Sequence, residues 1–144
     1  MTTTPDATVP QAIVRPAVDA DRRFIVETTA KVRQPRGVTW LEWEPYGRAW
    51  ADMTFVWQDM VGGVSDRPFA WVVEVDGVIL GLLLKTHDEQ SIECLYVKRE
   101  FRGLGYGQLL LDAAGFGDDI PCRAPTESWR RWCARRGIRY TVVT

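Results

Sequence analysis

Apolar positions along this chain recur at two spacings, and each change of spacing marks a change of element. Residues 12–17 alternate between apolar and polar and predict a first strand. Asp19 stands where a carboxylate can cap a helix over 20–32, in which Phe24, Ile25, Thr28 and Val32 recur at helical spacing. Gln34-Pro35-Arg36-Gly37 breaks that helix. A second, more apolar helix follows over 46–60, carrying Trp50, Met53, Val56, Trp57 and Met60, and Gly62-Gly63 is expected to end it.

The middle of the chain changes to strand-like runs. Residues 68–75 and 78–85 flank Asp76-Gly77, a pair that supplies the positive φ angles of a tight hairpin, so these two strands should be antiparallel. A turn over 87–90 leads into a third strand of the meander, 91–97, and then a charged loop over 98–101. A helix over 105–116 carries Leu109, Leu110 and Ala113 on one side and ends at Gly115-Phe116-Gly117. A short strand over 120–123, a helix over 126–136 closed by Gly137, and a strand over 138–143 complete the order β-α-α-β-β-β-α-β-α-β.

Composition narrows the class. A length of 144 residues fits one domain, 12–144, behind a loose Thr/Pro/Ala-rich tail over 1–11. Apolar and charged fractions of 46% and 26% are those of a globular chain. The longest uncharged apolar stretch, 78–84, falls far short of the ~20 residues that span a bilayer. No basic-then-apolar signal opens the chain, so a cytoplasmic protein without membrane attachment is expected. Cys94, Cys122 and Cys133 are odd in number and lack C-x-x-C spacing, which points to free thiols and away from a metal site. His87 has no partners of metal-ligand spacing and is expected at the surface. A net charge of −1 gives no general attraction to nucleic acid, although 123–139 is locally basic. Arg130, Arg131, Arg135, Arg136 and Arg139 are expected on a solvated face.

The chemistry concentrates where the strand 92–97 leads through a short link into Arg102-Gly103-Leu104-Gly105-Tyr106-Gly107 and directly into a helix. Glycines there let backbone N–H groups point into one concavity, and a helix N-terminus adds about half a positive charge, so a pyrophosphate fits. Arg102 stands ready to add a charge-assisted contact. The loop by itself is equally compatible with a turn that holds no ligand. A dinucleotide-binding unit fails on spacing, because these glycines run G-x-G-x-G, not G-x-G-x-x-G, after an antiparallel meander.

These residues resemble the GNAT N-acetyltransferases. That family's pyrophosphate loop reads Arg/Gln-x-x-Gly-x-Gly/Ala after a strand ending in Leu-x-Val, and Leu95, Val97, Arg102, Gly105 and Gly107 match it. The opening Ile13-Val14-Arg15-Pro16-Ala17 and the tail Trp132-Cys133-Ala134-Arg135-Arg136-Gly137-Ile138 are similar to the family's first strand and last helix end. The resemblance implies an α/β fold of the α+β kind, a mixed and mostly antiparallel sheet flanked by helices. It also implies acetyl-CoA as co-substrate. The pyrophosphate would sit on Arg102, Gly103, Leu104, Gly105, Tyr106 and Gly107, and the pantetheine arm would enter between splayed fourth and fifth strands beside Leu95, Tyr96 and Val97. Direct transfer of an acetyl or short acyl group to a primary amine then needs a base and an acid. Glu93 is the candidate base on the family's usual strand, the alternative being a solvated strand carboxylate. The family's tyrosine acid is replaced here by Cys133, which either donates a proton or packs. Trp40, Glu42, Trp43, Glu44 and Tyr46 fall where the family binds its acceptor, and aromatic and acidic groups together suit a cationic amine.

Three functions stay open: the N-acetyltransferase, a non-catalytic CoA-binding or interaction module on the same fold, and a toxin-like or modification enzyme acting on charged tRNA or nucleic acid. Only the basic last helix argues for the third. A second copy of the chain could cover the edge left by the last strand, as a homodimer.

Overall fold

The computed structural model describes residues 11–65, 69–86, 91–123 and 125–143, with backbone only over 54–65. His87, the turn expected at 87–90 and all of the expected tail but its last residue lie outside the described residues. The elements run β1 (Ile13–Pro16), α1 (Arg22–Val32), α2 (Trp40–Ser65), β2 (Ala70–Val75), β3 (Val78–Lys85), β4 (Ile92–Val97), α3 (Tyr106–Ala114), β5 (Asp119–Arg123), α4 (Glu127–Arg136) and β6 (Arg139–Val143).

One sheet contains all six strands in sequence order, antiparallel from β1 to β4 and parallel from β4 through β6. The hairpin between β2 and β3 turns on Asp76 at φ 51° and Gly77 at φ 77°, with Val75 opposite Val78. That pair of positive φ angles suits the right-handed twist of the strands it joins. Helices cover both faces, which is why 70–73 and 80–84 are apolar without alternation. On one face Ile25 of α1 packs with Ala70, Val72, Leu82, Leu84 and Cys94. On the other, Leu110, Leu111, Trp129 and Cys133 of α3 and α4 pack with Trp71, Val73, Leu83, Ile92, Ile120 and Cys122.

Three boundaries differ from expectation. Asp19 lies in a 3-10 turn, Asp19–Asp21, and it is Asp21 whose Oδ2 accepts from the Val18 N–H at 2.8 Å. Arg15 donates to both Asp21 oxygens, at 2.7 and 3.1 Å, so the strand and the helix start are joined by one ion pair. The second helix begins at Trp40, not 46: Thr39 Oγ1 accepts from the Glu42 N–H at 3.2 Å and its carbonyl from the Trp43 N–H at 3.0 Å. Pro45 lies inside this helix, where its missing N–H costs one i→i−4 hydrogen bond. The helix also runs through Gly62-Gly63 to Ser65, since a glycine costs a helix only about 1 kcal/mol.

Candidate functional site

The sheet parts between β4 and β5. These strands share one aligned pair, Ile92 with Cys122, at the start of β4 and near the end of β5. Beyond it Leu95, Tyr96 and Val97 have aligned partners on β3 alone, so their β5-facing edge is open to another chain-like group.

β4 also carries a bulge. Leu84 aligns with Cys94 but Lys85 with Ile92, which leaves Glu93 as an extra residue on β4. As a result Ile92 packs in the core under α3 and α4 together with Leu95 and Val97, a side that strict alternation would assign to Glu93. Glu93 is only 6% exposed, and its carboxylate makes no hydrogen bond or ion pair among the described residues. Its carbonyl accepts from Arg33 Nη2, which also donates to the Arg123 carbonyl at 3.0 Å.

Past β4, a 3-10 turn at Arg99–Phe101 brings the chain to the glycine loop. Gly103 at φ 83° and Gly105 at φ 90° occupy the left-handed region that favours glycine, and Gly105 is the N-cap of α3. Among the described residues no side chain caps this N-terminus, whereas Thr126 Oγ1 accepts from the Trp129 N–H at 3.2 Å at the start of α4. The first N–H groups of α3 therefore lack the side-chain acceptor that α4 has. Gly107 serves differently: a Cβ there would lie 3.1 Å from the Trp132 ring, so the bare Cα lets α3 approach α4. Arg102 donates from Nε to the Val97 carbonyl at 2.8 Å and sets its guanidinium 5.7 Å from the centre of the Tyr96 ring. The loop is thereby tied to the open end of β4.

Cys133 is 1% exposed within the core, and burial, with Cys122 beside it, pushes its thiol up to about 11. The five aromatic and acidic residues expected near an acceptor occupy two sides of α2. Trp43 donates from Nε1 to the Ala30 carbonyl at 2.8 Å, Glu44 pairs with Arg48 at 3.3 Å, and the Lys31 ammonium lies 5.9 Å from the Trp40 ring. Glu42 and Tyr46 face outward, Tyr46 at 73% exposure. A cavity of about 350 Å³ lies among α3, β5, α4 and β6, lined by Gln108, Phe116, Asp118 and Arg139, with no residue of the glycine loop on its wall. Among the described residues no helix is long and apolar enough to cross a membrane.

A six-stranded mixed sheet, flanked by helices and parted between β4 and β5 beside a glycine loop, is the GNAT fold. Residues 66–136 match the family profile described as an acetyltransferase (GNAT) domain, and the chain thus carries a GNAT acetyltransferase domain from the meander through α4. The chain is also similar to a GCN5-related N-acetyltransferase from Ralstonia eutropha, at 17% identity over 93% of this chain and 84% of that one, with a TM-score of 0.48. AAC(6')-Iy, solved with the bisubstrate analog CoA-S-monomethyl-acetylneamine, is 12% identical over 93% of this chain and 80% of its own, with a TM-score of 0.48. A protein from Rhodopseudomonas palustris is 19% identical over 90% and 71% of the two chains, with a TM-score of 0.44. No curated protein matches this sequence.

Proposed function

We propose that this chain moves an acetyl or short acyl group from CoA to a primary amine by direct transfer. The observation that carries the reading is the N-terminus of α3: it has no side-chain cap among the described residues, follows two left-handed glycines, and stands at the mouth of the β4/β5 split. Backbone donors and a helix dipole aimed at one spot suit a pyrophosphate, and Arg102 adds a cation beside them. The open edge of Leu95, Tyr96 and Val97 suits the amide-bearing arm that follows the pyrophosphate. Acetyl-CoA supplies the activated thioester.

The chain's own groups account for the protons. Glu93, enclosed and with no hydrogen bond to its carboxylate among the described residues, takes the proton that the attacking amine loses, directly or through a water molecule. As the C–N bond forms, the thioester C–S bond breaks and the sulfur leaves as a thiolate. Solvent returns a proton to that thiolate, because Cys133 is enclosed among Cys122, Trp129 and the rest of the core. Trp40, Glu42, Trp43, Glu44 and Tyr46 line the start of α2, where a cationic acceptor would approach.

A second reading, a CoA-binding module without turnover, takes its support from the same buried Cys133. Calorimetry with acetyl-CoA and an amine panel followed by free-thiol release separate the two. Acetyl-CoA should bind the wild type, and Arg102→Glu should weaken binding by about tenfold or more, as loss of a charge-assisted contact implies. Equal binding by Arg102→Glu sinks the loop assignment. Binding without thiol release from any amine favours the module.

A further inference from the structure

The residue that bridges the two sides of the split comes from neither strand. Parallel pairing of β4 with β5 stops at Ile92 and Cys122, and one residue further on both strands direct a carbonyl, of Glu93 and of Arg123, at the same donor. Neither carbonyl has an aligned backbone partner across the split. Arg33 Nη2 bonds both carbonyls at once. Arg33 reaches this point because it follows directly on α1, with its own N–H bonded to the Thr29 carbonyl at 3.0 Å. Ile25 anchors that helix against Cys94 of β4. The cation acts on side chains of both strands: burial pushes the Cys94 thiol up to about 11 while Arg33 draws it back down, and Arg33 likewise opposes the upward push of burial on Cys122.

We propose that Arg33 is a positioning residue, a cationic staple that sets how far β4 and β5 diverge and fixes which way the bulged Glu93 peptide faces. The inference rests on the reading of the split as the acyl-transfer cleft. A strand pair held by one aligned residue pair can close by further pairing or open like a wedge, and either movement carries the Glu93 carboxylate away from a bound thioester. One guanidinium held between the two carbonyls prevents both. The glycine loop follows the far end of β4 from the Glu93 carbonyl that Arg33 bonds, so the pyrophosphate contacts fall to residues other than Arg33.

This separation predicts an asymmetric kinetic effect. Arg33→Met, which keeps the side chain's length and loses its donors, should lower kcat about 100-fold while KM for acetyl-CoA stays within about threefold. Arg33→Lys, a single cation with donors enough for two carbonyls, should restore kcat to within about tenfold of wild type. A wild-type kcat in Arg33→Met overturns the proposal, as does an Arg33→Lys protein no faster than Arg33→Met. Melting curves of both variants establish that they are folded. Amide hydrogen exchange tests the staple without any turnover: Arg33→Met should lose protection in β4 and β5 relative to β2 and β3, and Arg33→Lys should recover it. Unchanged protection in Arg33→Met overturns the staple even in a protein that proves inactive. Failure of the wild type to bind acetyl-CoA overturns the acyltransferase reading instead, and the exchange experiment still decides the staple.

Discussion

Gly105 concentrates the loop's requirements in one residue. At φ 90° it occupies a conformation that costs an L-amino acid about 1–2 kcal/mol, and among the described residues no atom beyond its local backbone lies within 4 Å of where a Cβ would be. Crowding is therefore absent and strain alone acts. Gly105→Ala should lower stability by about 1 kcal/mol, read from chemical denaturation, and should weaken acetyl-CoA binding because relief of the strain turns the α3 N-terminus away from its present direction. Unaltered stability would show that the loop can adopt another shape at no cost. The loop's shape was legible from sequence because Arg102, Gly103 and Gly105 stand close together in both sequence and space. Arg33 was not. It acts on two backbone carbonyls far from it along the chain, and a carbonyl has no letter in a sequence.

At the scale of elements, the strands and the last two helices could be read from apolar runs and glycine stops, while the start of α2 could not be read from its apolar residues. The apolar recurrence counted from Tyr46 leaves Trp40, Trp43 and Glu44 outside the expected helix. The signal that would have placed the start correctly is Thr39-Trp40-Leu41-Glu42, a capping-box sequence, and its Thr39 does accept from the Glu42 N–H. The same helix shows how α1 and α2 are joined. The Trp43 indole lies over Gly47 and bonds the Ala30 carbonyl, and a Cβ on Gly47 would come within 2.3 Å of Trp43 Nε1. Gly47→Ala must move the indole and break that bond, a loss of about 2–3 kcal/mol that thermal melting would register. Full stability would mean that the indole has a second seat. The bulge at Glu93 is an element-level feature without a sequence sign: Ile92-Glu93-Cys94 reads as plain alternation, and only the register against Leu84 and Lys85 shows the extra residue.

For the whole molecule, the clearest titrating contribution is Asp21. Its hydrogen bonds from the Arg15 guanidinium hold its carboxyl below the ordinary value of 3.8, against the upward push of burial. A carboxyl depressed in the folded state stabilises the fold above its unfolded pKa and loses that contribution as pH falls through the folded pKa. Melting temperature should therefore drop from about pH 4 downward. In Asp21→Asn the drop should be shallower and the neutral-pH stability lower by about 2 kcal/mol, the worth of a charge-assisted pair at a partly exposed site. Parallel acid limbs for the two proteins would assign the acid loss to other carboxylates.

The single aligned pair between β4 and β5 has a consequence for how the molecule is assembled. On one side of that stitch, β2, β3 and β4 are successive hairpin neighbours whose contacts close short loops. On the other, β5 and β6 are joined only through the crossover of α4, and β5 reaches β4 only across α3. The meander can form by itself from local pairings, while the β5-α4-β6 leaf needs a surface to dock on before its longer loops are worth closing. The cleft is then the seam left where the later piece meets the earlier one.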